Sequence, residues 1–153
     1  MATSLLSDPL ADDDALDTYI YQYLRALTAH EVGHVLGLRH NFLGSTLLAP
    51  EELNDRAATR QRGLVSSVMD YFPPNLAPPD SEQGDYFPVT VGLYDQWAIE
   101  YGYRPFPQAL PHQAQQQLQQ IAQRSPAPEL AYAADEDIWN FIDPMANAWD
   151  LQQ

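Results

Sequence analysis

The chain has 153 residues, of which 45 % are hydrophobic, and this length and composition favour a single folded domain with one modest core. Acidic residues outnumber basic residues by 21 to 7, and the net charge of −14 repels nucleic acid and anionic lipid head groups, so both nucleic acid and membranes are excluded as partners. Because there is no cysteine, any metal site must use histidine and carboxylate ligands.

The first predicted element is a helix from about Asp13 to Leu38. Acidic residues at its start suit the positive end of a helix dipole, and Gly37 is a typical helix stop. An apolar stripe runs along it at spacings of three and four residues, formed by Leu16, Ile20, Tyr23, Leu24 and Leu27. His30 and His34 continue that spacing, which predicts that both histidines lie on the side of the helix that faces the core.

The middle of the chain predicts a short helix followed by a long loop. The short helix is expected at Pro50, since proline suits the first turn of a helix. The residues from Pro73 to Pro88 contain five of the 13 prolines, together with Gly84 and two aspartates. This composition is typical of an irregular loop.

Two further helices are predicted after the loop, and little strand is indicated anywhere. The first begins at Thr90 as its cap, ends at Gly102, and has one face formed by Tyr94, Trp97, Ala98 and Tyr101. The second runs from Gln108 to Arg124. His112 stands alone after a proline and is expected to be a surface residue.

The decisive segment is HEVGHVLGLRH, which runs from His30 to His40. Residues four apart in a helix lie nearly one above the other, so His30 and His34 can point two ring nitrogens at one ion. A sharp turn, permitted by Gly37, brings His40 to the same ion. The extended pattern arises by chance with a probability of only roughly 10⁻⁵ in such a chain, so we interpret it as a zinc site rather than as core histidines.

The residue beside the first histidine suits the role of a catalytic base. Three neutral histidines leave a zinc ion its full charge and one open position for water. Zinc lowers the pKa of such water to roughly 7, and Glu31 can take its proton and pass it to the departing amine. The segment therefore predicts a zinc endopeptidase that acts on protein or peptide substrates, with Zn²⁺ as its cofactor.

The segment HEVGHVLGLRH resembles the extended zinc-binding signature of the metzincin metalloproteases. That clan has a methionine-containing turn beneath the zinc, and the match with SVMDY implies that Met69 supports the three imidazoles. The resemblance also implies that Tyr71 ligates zinc or supports the tetrahedral intermediate, a buried packing tyrosine being the alternative. Over residues 16–150 the chain is similar to large bacterial zinc-dependent metalloproteases described as EcxA-like.

The resemblance also sets the expected fold. Metzincin catalytic domains begin with a twisted sheet ahead of the active-site helix, whereas the residues before His30 read here as helix. We therefore expect a mainly α fold over residues 1–153, corresponding to the lower, C-terminal part of a metzincin catalytic domain with the N-terminal sheet largely absent. Either the chain is a piece of a larger protease or another chain supplies the sheet.

Two consequences follow from the missing sheet. The apolar stripe from Leu16 to Leu27 is expected to be partly exposed, which predicts self-association or low stability. The segment from Met1 to Ala11 lacks the features of a signal peptide, so either none exists or this chain omits it. The missing sheet favours omission, and we therefore expect a longer parent protein that is secreted or periplasmic.

Several alternatives stay open from the sequence alone. Asp70 either accepts a hydrogen bond from the second ring nitrogen of a metal-bound histidine or faces solvent, and the sequence favours neither role. A cluster of four acidic residues could bind calcium, but we favour a hydrated surface. Its members are Asp135, Glu136, Asp137 and Asp143. The rival functions are a zinc-binding structural or interaction module without peptidase activity, which a fourth protein ligand other than Tyr71 would indicate, and a zinc amidase, which a closed pocket would indicate.

Overall fold

The computed structural model describes residues 13–79, 81–107 and 109–139. This part of the chain is mainly helical, as predicted, and contains no strand. Its α-helices are α1 (Asp13–Val35), α2 (Arg56–Arg62), α3 (Leu93–Tyr103) and α4 (Pro111–Ala122). Short 3₁₀ helices span Gly44–Thr46, Pro50–Glu52, Pro128–Leu130 and Asp135–Trp139. The segment from Met1 to Ala11, Gln108 and Asp143 lie outside the described residues. Across the described ranges, no helix combines the length and apolar character needed to cross a membrane.

Helix α1 differs from the prediction in its end and in its buried face. It ends at Val35 rather than Leu38, because Gly37 adopts a φ of 86° and breaks the helix. The buried side of α1 consists of Gln22, Ala26, His30 and Gly33. The predicted core-facing stripe lies beside it, and its members Ile20, Leu24 and Leu27 are 42–53 % exposed. The orientation of the stripe was therefore predicted wrongly, whereas its partial exposure is confirmed; self-association through it stays a prediction. Of the two histidines that continue the stripe, His30 is buried as predicted, but His34 is exposed.

A buried polar network fastens the long loop to α1. The side-chain amide of Gln22 donates to Asp85 at 2.9 Å, and its oxygen accepts the backbone N–H groups of Tyr86 and Phe87 at 2.7 and 3.2 Å. Asp85 is 1 % exposed and also accepts two hydrogen bonds of 2.9 Å from Arg60, which hold its pKa below the ordinary value. The small core that forms on this loop contains Ala26, Tyr86 and Phe87.

Helix α3 begins later than predicted. Thr90 was predicted to cap it, but the cap residue is Gly92, whose N–H donates to the carboxylate of Asp95 at 3.2 Å. The acid inside the first turn thus takes over the role that the threonine hydroxyl was expected to play. Gly102 lies within the last turn of α3 instead of ending it.

Helix α4 is shorter than the predicted helix from Gln108 to Arg124. It starts at Pro111, because proline suits a first turn and the preceding N–H of Leu110 donates to Gln113 at 2.9 Å. His112 is exposed, as predicted.

The sequence pattern did not predict helix α2, although an ordinary N-cap residue, Asp55, precedes it. The carboxylate of Asp55 accepts the N–H groups of Ala57 and Ala58 at 2.9 and 3.1 Å. The indole of Trp97 donates to the carbonyl of Ile121 at 2.8 Å and holds α4 against α3.

Candidate metal centre

The end of α1 orients the second histidine. The N–H of Gly37 donates to the backbone carbonyl of His34 at 2.9 Å, and the N–H of Leu38 donates to the backbone carbonyl of Gly33 at 3.0 Å. This pair of hydrogen bonds is typical of helices that end in a residue with left-handed backbone geometry. The same turn returns the carbonyl of Leu38 to within 3.0 Å of Nδ1 of His34. Gly37 therefore redirects the chain toward His40 and, through Leu38, fixes the ring of His34.

The three predicted ligands come together. One ring nitrogen from each of His30, His34 and His40 lies within 4.8 Å of the other two, and the ring centroids are 4.7–5.4 Å apart. The Nδ1 atom of each ring faces an acceptor, in turn the carbonyls of Val68 (2.8 Å) and Leu38 (3.0 Å) and the carboxylate of Asp135 (3.1 Å). With a proton on Nδ1 to serve these acceptors, Nε2 is the nitrogen left to bind a metal.

This donor set fits zinc. Around a tetrahedral zinc ion with bonds of about 2.0–2.1 Å the nitrogens lie roughly 3.4 Å apart, so small ring movements bring all three onto one ion. Among the described residues no further histidine, aspartate or glutamate joins the group, so the fourth position of a bound zinc ion would fall to water or to the nearby hydroxyl of Tyr71. An acceptor behind each metal-facing ring is also the usual arrangement of metal-bound histidines.

The segment predicted to be the methionine turn lies beneath α1. Met69 is completely buried, and its sulfur packs so closely on Gly33 that an added Cβ there would overlap it. The carbonyl of Met69 accepts the N–H of Asn41 at 3.0 Å, one residue after His40. The turn therefore contacts α1 just before His34 and also holds the chain that carries the third histidine.

Asp95, which the sequence pattern did not single out, stabilises this turn from α3. Its carboxylate accepts Ser67 Oγ at 2.6 Å, Val68 N at 2.8 Å and Gly92 N at 3.2 Å, while only 1 % of the residue is exposed. Burial raises its pKa, and the hydrogen bonds oppose that rise. An acid at the third position of a helix is a recognisable capping signal, but its partners in the turn lie 27 and 28 residues away.

We expect Gly92→Ala to lower the free energy of unfolding by roughly 2–3 kcal/mol, because a Cβ there would overlap the backbone of Ser66 and push α3 off the turn. The matched control is Gly102→Ala in the same helix, where a Cβ meets open space and alanine is expected to raise stability by up to about 1 kcal/mol. Urea unfolding of both variants measures the difference. Equal stability of the two would contradict the close approach at Gly92.

Asp70 has neither of its expected roles. It is 3 % exposed, so it does not face solvent, and its oxygens accept the N–H groups of Ser45 and Tyr71, each at 2.7 Å. Burial raises the pKa of this carboxyl. The carboxylate that accepts a hydrogen bond from a predicted metal ligand is that of Asp135, which lies behind His40.

Two members of the acidic cluster, Glu136 and Asp137, are exposed, as the favoured hydrated surface predicts, whereas Asp135 has an additional contact that was not predicted. Asp135 lies 3.1 Å from Nδ1 of His40, a hydrogen bond that lowers the pKa of its carboxyl, and Arg39 pairs with Glu136 at 2.6 Å. Asp137 accepts the N–H of Ala134 at 2.8 Å. Asp135 is about half exposed, as a hydrated surface requires, and it also serves as the acceptor for His40, which was not predicted. No local signal reveals this role, because the carboxylate is 95 residues away from its histidine.

Glu31 and Tyr71 lie at the same cavity as the histidines. This cavity of about 530 Å³ is lined by both residues and by all three rings, and its apolar wall includes Tyr23, Leu27, Phe72 and Phe87. The hydroxyl of Tyr71 is 2.9 Å from Nε2 of His40, and the residue is 44 % exposed, so it is not a buried packing tyrosine. A cavity of about 600 Å³ beside α4 contains none of the predicted site residues.

Comparison with known proteins identifies a family. Residues 12–153 match the model of a family described as Met-zincin, and this range includes every residue of the candidate centre. Neither the curated proteins nor the solved structures gave a match. The narrower resemblance to EcxA-like proteases stays a prediction. Because the matched range covers nearly the whole chain, and because its histidines and its methionine turn meet at one place, the protein belongs to the Met-zincin family.

Proposed function

We propose that this Met-zincin binds one zinc ion through Nε2 of His30, His34 and His40 and hydrolyses peptide bonds with Glu31 as the general base. The observation that carries the proposal is the convergence of three imidazoles beside Glu31, each with Nδ1 already facing an acceptor. Membership of a zincin family supports a metallopeptidase, with protein or peptide as the substrate.

The chemistry divides between the ion and the side chains. When bound, zinc supplies a Lewis acid that lowers the pKa of a water molecule toward about 7 and polarises the scissile carbonyl. Glu31 accepts the proton of the attacking water and delivers it to the departing amine. Because Glu31 follows His30 directly and is exposed to the cavity, its carboxylate can reach both water and substrate.

Tyr71 has the position of an electrostatic partner in the reaction. Its hydroxyl lies within hydrogen-bond distance of Nε2 of His40, which is the metal-facing atom of that ring. We assign it to donate a hydrogen bond to the oxygen that becomes negative as water attacks the carbonyl. Such donors stabilise the transition state more than the ground state.

Two observations favour a protease over the rival functions. A structural zinc module fills the fourth position with a protein side chain, whereas the metal group among the described residues has three members. A small-molecule amidase is expected to enclose its substrate, whereas Glu31, His34 and Tyr71 are all exposed. An exposed site of this kind accommodates a polypeptide. A bacterial origin and a secreted or periplasmic parent stay predictions from the sequence.

Removal of the metal tests the proposal directly. We expect cleavage of a fluorogenic peptide library to fall by at least about 10²-fold after treatment with a zinc chelator, because Glu31 alone is a weak catalyst without the Lewis acid. Stoichiometric zinc is expected to restore the activity, whereas magnesium, which prefers oxygen ligands, is not. Cleavage that persists after chelation would contradict a zinc-dependent mechanism.

A further inference from the structure

The third histidine is held differently from the first two. The acceptors behind His30 and His34 are backbone carbonyls, fixed by the methionine turn and by the end of α1. The acceptor behind His40 is a side chain, and both oxygens of Asp135 lie close to Nδ1, at 3.1 and 3.3 Å. His40 also lies beyond the helix, so regular backbone structure does not orient its ring.

The segment that carries Asp135 is itself fastened to the chain around His40. The side chain of Asn41 donates to the carbonyl of Ala131 at 3.0 Å and accepts the N–H of Ala133 at 3.2 Å. The N–H of Phe42 donates to the carbonyl of Ala133 at 2.8 Å. These bonds bring residues 131–136 alongside residues 39–42 and place the carboxylate behind the ring.

The ion pairs next to Asp135 contribute less to holding the ring of His40 than the hydrogen bond to Asp135 does. Arg39 forms its short ion pair with Glu136, and its contact with Asp135 is longer, at 3.8 Å. All three side chains are about half exposed or more, and exposed ion pairs contribute little. The hydrogen bond to His40 is therefore the contact through which Asp135 acts on the site.

We propose that Asp135 is the positioning residue of the metal centre, and that the segment 131–136 completes that centre by bringing the carboxylate to His40. This inference rests on the proposed zinc site. A carboxylate acceptor keeps the proton on Nδ1, fixes the ring plane and makes Nε2 a stronger donor to the metal. Loss of such an acceptor typically weakens metal affinity by about 10- to 100-fold.

The test compares three variants of the full chain. We expect Asp135→Ala to bind zinc about 10- to 100-fold more weakly in competition with a chromogenic chelator. Asp135→Asn keeps an oxygen that can accept the hydrogen bond from Nδ1 of His40. Its zinc affinity is therefore expected to lie between those of Asp135→Ala and the wild type. Glu136→Gln is the matched control, since it removes the neighbouring ion pair and leaves the acceptor in place.

The visible spectrum of the cobalt(II)-substituted protein gives a readout independent of catalysis. We expect it to change in Asp135→Ala, because one imidazole loses its fixed orientation, and to be retained in Glu136→Gln. Circular dichroism of the zinc-free proteins shows whether each variant is folded, and the asparagine variant keeps the test decisive if alanine disturbs the fold.

The outcomes separate this inference from the proposed function. Equal zinc affinity of the wild type and Asp135→Ala, with the same cobalt spectrum, overturns the positioning role alone. An equal loss in Glu136→Gln and Asp135→Ala also overturns it, since the ion pairs would then hold the segment. Failure of the wild type to bind zinc overturns both proposals.

Discussion

Glu31→Gln is expected to retain zinc and to cleave peptides at least about 10²-fold more slowly than the wild type. Glutamine has nearly the same shape as glutamate, but it cannot accept the proton of the attacking water. The histidines and their acceptors are untouched by the change, so metal content is expected to stay the same. Steady-state cleavage of a fluorogenic peptide and elemental analysis of the same samples measure the two properties.

The matched control for this variant is Glu129→Gln. It removes the same charge at an exposed position in a 3₁₀ helix that does not line the cavity. We expect its cleavage rate to equal that of the wild type. Unchanged cleavage by Glu31→Gln would contradict the assignment of Glu31 as the base, even if the protein binds zinc.

Asp95→Ala is expected to lower the free energy of unfolding by on the order of 3–5 kcal/mol. The change leaves three donors without their acceptor, namely Ser67 Oγ, Val68 N and Gly92 N. A buried unsatisfied donor costs about 1–3 kcal/mol, and domains are typically stable by only about 5–15 kcal/mol. Chemical denaturation of the zinc-free protein measures the effect without a contribution from metal binding.

Asp95→Asn separates the hydrogen bonds from the charge. Its amide oxygen can still accept part of the set of donors, so we expect a smaller loss of stability than in the alanine variant. Because Val68 supplies the acceptor for His30, Asp95→Ala is also expected to weaken zinc binding. Wild-type stability of Asp95→Ala would contradict the role of this carboxylate in holding the methionine turn.

The local parts of the centre were predictable from the sequence. The spacing of His30 and His34 requires only the periodicity of a helix, and α1 provides it. Gly37 has the positive φ that its place in the motif implied, and the chain that follows returns His40 to the other two rings. Each of these features depends on residues close together in the sequence, where the pattern determines the geometry.

The parts that depend on distant contacts were not predictable in this way. The periodicity of α1 showed an apolar stripe but not which side the rest of the chain covers. The buried line through Gln22 and Ala26 is set by the loop that ends near Asp85, 63 residues later. The acceptor of His40 is likewise remote, and the composition around Asp135 is that of an ordinary acidic surface. A single sequence carries no signal for such pairings.

The zinc content of purified wild-type and His34→Ala proteins tests the central claim most directly, with His112→Ala as the control that removes an exposed histidine that does not line the cavity. The three-imidazole site predicts a single zinc ion per chain in the wild type and in His112→Ala, and a marked loss in His34→Ala. Equal zinc in all three proteins would contradict it.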